Sequence, residues 1–334
     1  MTKRKNVLLI DSESRFYIDN LTCEQTLAGN SIDLVHVKGI NNVVSQQLHE
    51  ANAVVVFFGN ELTASHIQKL KNCQGIVAAT AGFNNIDIES AAKQGIPVCN
   101  VPDYGFEDVA DHTIALMLAC VRKLPAAMND TKNNRWHWHC VKGAMRLRHK
   151  RFGIIGLGRI GKAVAERALA FGLDVCFYDP YVAQPLIPHM RKIDNLLEFL
   201  EIVDILSINC PLTLETTHLI NKETIKYLQP HAVIINTARG PIIEQAALIN
   251  ALKNGGLSAI GLDVLETEPF IPQELLNDER VILTPHSAFY TDQSLHTMRS
   301  LALGAALNFL NNNVFLNPIV NSVKGDINAS TFGK

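Results

Sequence analysis

The chain has almost no net charge: 30 Lys and Arg against 32 Asp and Glu over 334 residues leave it at −2. That removes the electrostatic case for nucleic acid or an anionic membrane surface as a partner. Long apolar runs are missing as well, since no stretch approaches the ~20 residues that a membrane span needs. The N-terminal MTKRKNVLLID starts basic, but its apolar part is only Val7 to Ile10 and no small-residue cleavage site follows. It reads as a first strand, not a signal peptide. Internal repeats and low-complexity tracts are also lacking. Cysteine is neither abundant nor patterned: Cys23, Cys73, Cys99, Cys120, Cys140, Cys176 and Cys210 are odd in number, scattered, and mostly set in apolar strand or helix patterns. No disulfide framework fits them, and reduced, buried thiols in a cytoplasmic protein are expected. One run, Trp136-His137-Trp138-His139-Cys140, looks metal-like. Its adjacent donors lack the second pair that a zinc site needs, so no metal is expected and a packed or interfacial arm is.

What the chain does have is apolar content, 47% hydrophobic against 19% charged, and length enough for two domains. Short apolar strands alternate with helical patterns: NVLLI, AVVVFF, IVAAT and PVCNV in the first third, then FGIIG, DVCFY, DILSIN, AVIIN, SAIGLD and VILT. Such alternation predicts parallel sheets with helices on both faces, in two sets. The first set ends near Val101-Pro102, and a long helix over Glu107 to Lys123 leads into the second. Another long helical pattern, Asp292 to Asn311, closes the chain. If it returns to the first sheet, residues 1–103 and 288–334 form one discontinuous domain around an inserted 104–287, with the two long helices as hinge. The tail from Asn321 is polar and is expected to be poorly ordered.

The most informative segment is RFGIIGLGRIG, residues 151–161. A strand runs straight into Gly156, Gly158 and Gly161, the GxGxxG spacing of a dinucleotide phosphate turn. The first glycine permits the turn, the second admits a pyrophosphate, and the third lets the helix pack on the strand. The phosphates would rest on the helix N-terminus, which Arg159 and Ile160 open. A second strand ends in Asp179 about 20 residues on, as the fingerprint requires. Its carboxylate accepts from ribose hydroxyls and repels a 2′-phosphate, and Pro180-Tyr181 supplies no arginine, so NAD is expected over NADP.

Three further motifs sit at strand ends: NTARG (236–240), GLDVLETEP (261–269) and TPHSAFY (284–290). Ligands of open α/β sheets bind outside the carboxyl ends of the strands, so Arg239, Asp263, Glu268 and His286 should converge. The chemistry suggested is hydride transfer coupled to proton transfer. His286 is the acid and base, Glu268 fixes its tautomer and favours imidazolium, and Arg239 binds a carboxylate and polarises a carbonyl. Asp263 either hydrogen-bonds the nicotinamide end of the cofactor or serves as a structural strand end.

Together GLGRIG, Asp179, TARG, LDVLETEP and TPHSAFY resemble the D-isomer-specific 2-hydroxyacid dehydrogenase family, over about Ile76 to Asn317. The resemblance implies an α/β fold of two Rossmann-like domains, a flavodoxin-like substrate domain and an inserted NAD-binding Rossmann domain. It also implies an Arg239/Glu268/His286 catalytic set, a 2-oxo or 2-hydroxy acid substrate, and a homodimer joined through the nucleotide domains. Ala81 and Gly82 would hold the substrate carboxylate through their N–H groups, with Phe289 in the pocket wall. Thr113, Thr237 and Ala238 would lie near the cofactor, and Cys210, Pro211 and Thr216 would line its adenosine pocket.

Within the family, GFNNIDIESA, VCNVPD and CFYDPY resemble the C-terminal-binding proteins, corepressors that keep a dehydrogenase fold. Phe289 stands where those relatives carry tryptophan, and Ala78 where they carry a basic residue. An NAD(H)-sensing binding protein with little turnover is therefore the alternative to an enzyme. Formate dehydrogenases place glutamine where Glu268 stands. Phosphoglycerate dehydrogenases often append a regulatory domain beyond the length seen here.

Overall fold

A computed structural model of the chain describes residues 4–11, 32–184, 187–312 and 317–320. Cys23 and the tail from Asn321 lie outside the described residues. The chain divides into two compact units: residues up to Gly105 joined by those from Tyr290, and the intervening Phe106–Phe289.

The first unit opens with β1 (Lys5–Asp11), β2 (Ile32–Lys38), β3 (Ala53–Val56), β4 (Gly75–Ala78) and β5 (Val98–Asn100). These pair in parallel in the order 2-1-3-4-5, the flavodoxin-like winding. Every residue of β3 and β4 is buried, because helices cover both sheet faces, which is why these strands read as unbroken apolar runs. Helix Asp292–Asn312 packs on β3 and β4, and the Lys5 ammonium donates to the Leu310 carbonyl at 2.5 Å near its end.

The second unit holds β6 (Arg151–Ile155), β7 (Asp174–Tyr178), β8 (Arg191–Lys192), β9 (Ile205–Ile208), β10 (Val233–Asn236), β11 (Ala259–Leu262) and β12 (Val281–Leu283). All are parallel, in the order 8-7-6-9-10-11-12, so the winding reverses between β6 and β9. That reversal opens a crevice at the carboxyl ends where a ligand binds. Back in the first unit, β13 (Pro318–Val320) adds antiparallel to β5, closing that sheet edge with the fully buried Ile319.

Helix Phe106–Val121 lies against β10 and β11, its buried face formed by Val109, Ile114, Met117, Cys120 and Val121. A Cβ at Gly261 of β11 would come within 3.2 Å of Leu116, so the absence of a side chain there sets the spacing. Arg167 of helix Arg159–Ala170 ties the two helices together by reaching Glu107 at 2.5 Å and Asp111 at 2.6 Å. Burial pushes the thiols of Cys99, Cys120, Cys176 and Cys210 up to about 12, as expected of reduced core cysteines.

One expectation fails in part. The Trp136–Cys140 segment is not packed: Trp136 is 91% and Trp138 77% exposed. The reason is local, since helix Leu124–Lys132 beneath it buries no residue of its own and offers no apolar floor.

Candidate active site

The phosphate turn follows β6 as its sequence requires. Gly156 sits at φ +89°, a region that side chains rarely adopt, and a Cβ there would lie 2.7 Å from the Cys210 backbone. The loop carrying Cys210, Pro211 and Thr216 after β9 is thereby pressed against the turn. That loop is held in shape by Thr216, whose hydroxyl donates to the Pro211 carbonyl and accepts from Thr213 N–H, both at 2.7 Å. At Gly161 a Cβ would stand 2.1 Å from the Gly156 carbonyl, so helix Arg159–Ala170 closes directly on the turn. Gly158 differs, because its Cβ would meet nothing within 4 Å. The protein does not need a glycine there for its own packing, and the space beside its backbone suits a pyrophosphate. No side chain caps the helix that Arg159 and Ile160 begin.

Asp179 ends β7 beside this turn. Its carboxylate accepts from Leu157 N–H at 2.8 Å and Tyr181 N–H at 2.9 Å, which fixes both oxygens while each keeps a lone pair for a ribose hydroxyl. The residues present therefore fit NAD.

The loops after β10, β11 and β12 bring the other candidates together. Asn236, fully buried, closes the turn after β10 by donating to the Arg239 carbonyl and accepting from Ala238 N–H, both at 3.0 Å. A Cβ on Gly240 would strike the Leu265 carbonyl at 1.8 Å, so this turn lies backbone to backbone on the LETEP loop. His286 Nδ1 meets Glu268 Oε2 at 2.8 Å, and the ring is assigned the Nδ1–H tautomer by that acceptor. Burial opposes ionisation of Glu268. The hydrogen bond and charge of His286, the Leu265 N–H and the Arg239 charge outweigh it and hold the carboxyl below its ordinary range.

Asp263, at 2% exposure, is where the structure adds most. Its Oδ1 accepts from the Thr284 hydroxyl at 2.6 Å and Ser287 N–H at 2.9 Å, its Oδ2 from Ala288 N–H at 2.9 Å, and its carbonyl from His286 N–H at 2.8 Å. The carboxylate thus braces the loop on which His286 sits at φ +52°. Its observed contacts are those of the structural alternative. From helix Phe106–Val121, His112 adds a bond to the Thr284 hydroxyl at 3.0 Å, a contribution nothing in the sequence announced. Asp263→Ala would leave the Ser287 and Ala288 N–H groups without their acceptor and the Thr284 hydroxyl with only its His112 partner, and about 3 kcal/mol of stability is expected to go with it. Chemical unfolding measures that loss.

Thr113 is fully buried and bonds the Val109 carbonyl and the Thr237 hydroxyl, each at 2.7 Å. It supports Thr237 from behind. In the first unit, the Ala81 carbonyl accepts from Asn100 at 2.7 Å and the Gly82 carbonyl from the Thr80 hydroxyl at 2.6 Å. The bond to the Ala81 carbonyl fixes the peptide plane that carries the Gly82 N–H, and the bond to the Gly82 carbonyl fixes the next plane along. Phe289 is half-buried just after the His286 loop, and Ala78 is fully buried in β4.

Residues 114–288 match the NAD binding domain of the D-isomer specific 2-hydroxyacid dehydrogenases, and the chain belongs to that family. It is 38% identical over 251 residues to a D-3-phosphoglycerate dehydrogenase of Methanocaldococcus jannaschii, covering 75% of this chain and 48% of that relative. The chain therefore spans about half the length of the curated relatives it matches. A D-lactate dehydrogenase of Aquifex aeolicus, solved with NAD and lactic acid, is similar at 30% identity and TM-score 0.82, with 92% of this chain and 96% of that one covered. A glyoxylate reductase from Paecilomyes thermophila is similar at 26% identity and TM-score 0.85, with 95% and 98% covered.

Proposed function

We propose that the chain is an NAD(H)-dependent D-2-hydroxyacid dehydrogenase that works as a reductase of small 2-oxo acids. The observation that carries this reading is the 2.8 Å His286–Glu268 pair, under the charge of Arg239, on the carboxyl-end loops of the same sheet as the phosphate turn. Bound NADH supplies the hydride to C2. Arg239 uses its planar fork to hold the substrate carboxylate and polarise the carbonyl. His286, with Nδ1 given to Glu268, delivers the proton on Nε2 to the carbonyl oxygen, and takes it back in the oxidative direction. Glu268 keeps the ring in that tautomer and orientation. In the first unit, the Gly82 N–H, which shares a peptide plane with the Ala81 carbonyl held by Asn100, is a donor available to an anionic group.

Glu268→Gln keeps an acceptor for Nδ1–H and removes the charge. For reduction, kcat/KM at neutral pH is expected to fall about 10²-fold and the acid limb set by the Glu268 carboxyl to be lost, because glutamine does not titrate. In the unsubstituted chain, Glu268 stays ionised below the ordinary ~4.3 of a glutamate, so its acid limb lies below that value. A pH series on both forms checks the sign. An unshifted profile counts against the role of Glu268.

Phe289 beside the His286 loop supports an apolar or aromatic 2-oxo acid as substrate, a reading that fails if glyoxylate gives the best kcat/KM. The acting form is proposed to be a homodimer in a cytoplasm. Supporting association are Trp136, Trp138, Met128 and Leu124, which leave apolar surface exposed on the second unit. The C-terminal-binding-protein-like alternative rests on the GFNNIDIESA, VCNVPD and CFYDPY segments. It requires NADH to shift association while no 2-oxo acid turns over.

A further inference from the structure

The exposed segment after helix Leu124–Lys132 carries a cluster that the dehydrogenase reading does not use. Asp130 from the helix, His137 from the following loop, and Cys140 from the short helix Trp138–Val141 bring one carboxylate oxygen, one imidazole nitrogen and one sulfur within 4.8 Å of one another. We propose that Asp130, His137 and Cys140 form a zinc-class cation site, with water as fourth ligand, that clamps this arm to its helix.

The geometry is close to what a tetrahedral ion imposes. Oxygen and nitrogen ligands at about 2.0–2.2 Å from zinc stand roughly 3.4 Å apart. Asp130 Oδ2 and His137 Nε2 are 3.5 Å apart. Sulfur is placed beside them by the 3.2 Å bond from the Cys140 thiol to the His137 carbonyl, and rotation of this half-exposed side chain supplies the remaining approach. Arg135 grips the other carboxylate oxygen, Oδ1, through Nε at 2.9 Å and Nη2 at 2.5 Å. It presents Oδ2 to the cluster, as outer partners of metal ligands do, although its charge lowers the affinity for a cation. Thiolate, imidazole and carboxylate together select zinc or cobalt over calcium or magnesium. His139 is drawn aside by stacking on Trp138, ring centroids 3.9 Å apart. The sequence hid the site because its third donor lies on the preceding helix, not in a second Cys or His pair.

The test is a Co²⁺ titration of the whole chain free of added histidine tags, read by visible absorption and by tryptophan fluorescence. The only two tryptophans of the chain, Trp136 and Trp138, flank His137. The expected result is one equivalent bound, with tetrahedral d–d bands, a thiolate-to-cobalt charge-transfer band and quenched fluorescence, all reversed by Zn²⁺. Cys140→Ser abolishes the charge-transfer band, and Asp130→Asn and His137→Asn each weaken binding more than about tenfold. Cys73→Ser leaves the titration unchanged, and NADH binding by each variant verifies its fold. Absence of the charge-transfer band in the unsubstituted chain, or its persistence in Cys140→Ser, overturns the proposal.

Discussion

Alanine at His286 is expected to lower kcat/KM for 2-oxo-acid reduction by about 10²–10⁴-fold, the range a positioned acid supplies, while NADH binds as before. The two effects separate because His286 and the phosphate turn sit on different loops of one sheet. His286 follows β12 and is paired with Glu268, whereas the turn proposed for the cofactor's phosphates follows β6. The backbone of the His286 loop is held independently of the ring, through the Asp263 carbonyl and carboxylate, so removing the imidazole leaves the loop in place. His286→Asn serves as a second variant suited to the left-handed φ of +52° at this position. Stopped-flow NADH binding beside steady-state turnover makes the comparison, and unchanged turnover in both variants removes His286 from the mechanism.

Two glycines of the same turn, Gly158 and Gly161, are expected to fail in different ways when changed to alanine. A Cβ on Gly158 touches nothing within 4 Å, so the fold and its unfolding midpoint are retained while the methyl group occupies the space proposed for the pyrophosphate. NADH Kd should rise by about tenfold or more, 1.4 kcal/mol or more. On Gly161 the same methyl stands 2.1 Å from the Gly156 carbonyl, where backbone, not a flexible side chain, must give way. That variant should lose stability as well as cofactor binding. Thermal unfolding with and without NADH distinguishes the two, and equal destabilisation would contradict the open space at Gly158.

Much of this architecture is legible in the chain because parallel strands buried on both faces read as near-continuous apolar runs. AVVV, GIVA, ILSI, VIIN and AIGL announce themselves for that reason. The edge strand β2, IDLVHVK, alternates with polar residues and is only partly buried, so its sequence lacks that mark. Two-residue β8 and the closing β13 are set by pairing across the sheet, not by local pattern.

The site divides along the same line. Arg239, Glu268 and His286 stand in motifs at strand ends, and topology alone brings strand ends together. The bracing of the His286 loop depends on residues distant in sequence: Asp263 one strand earlier, after β11, and His112 on the first helix of the second unit. No local spacing encodes those contacts. Asp263 shows the difference plainly, because its motif suits a cofactor contact and its observed partners are backbone N–H groups and a hydroxyl.

The central claim is reduction of a 2-oxo acid by NADH on this site. Its most direct test is NADH consumption by the purified chain against glyoxylate, pyruvate, hydroxypyruvate, phenylpyruvate, 4-methylthio-2-oxobutyrate and a phosphorylated 2-oxo acid, with the configuration of the product determined. Turnover on one class, yielding the D-hydroxy acid, is the result predicted here. Tight NADH binding with no turnover on any member of the panel would contradict it.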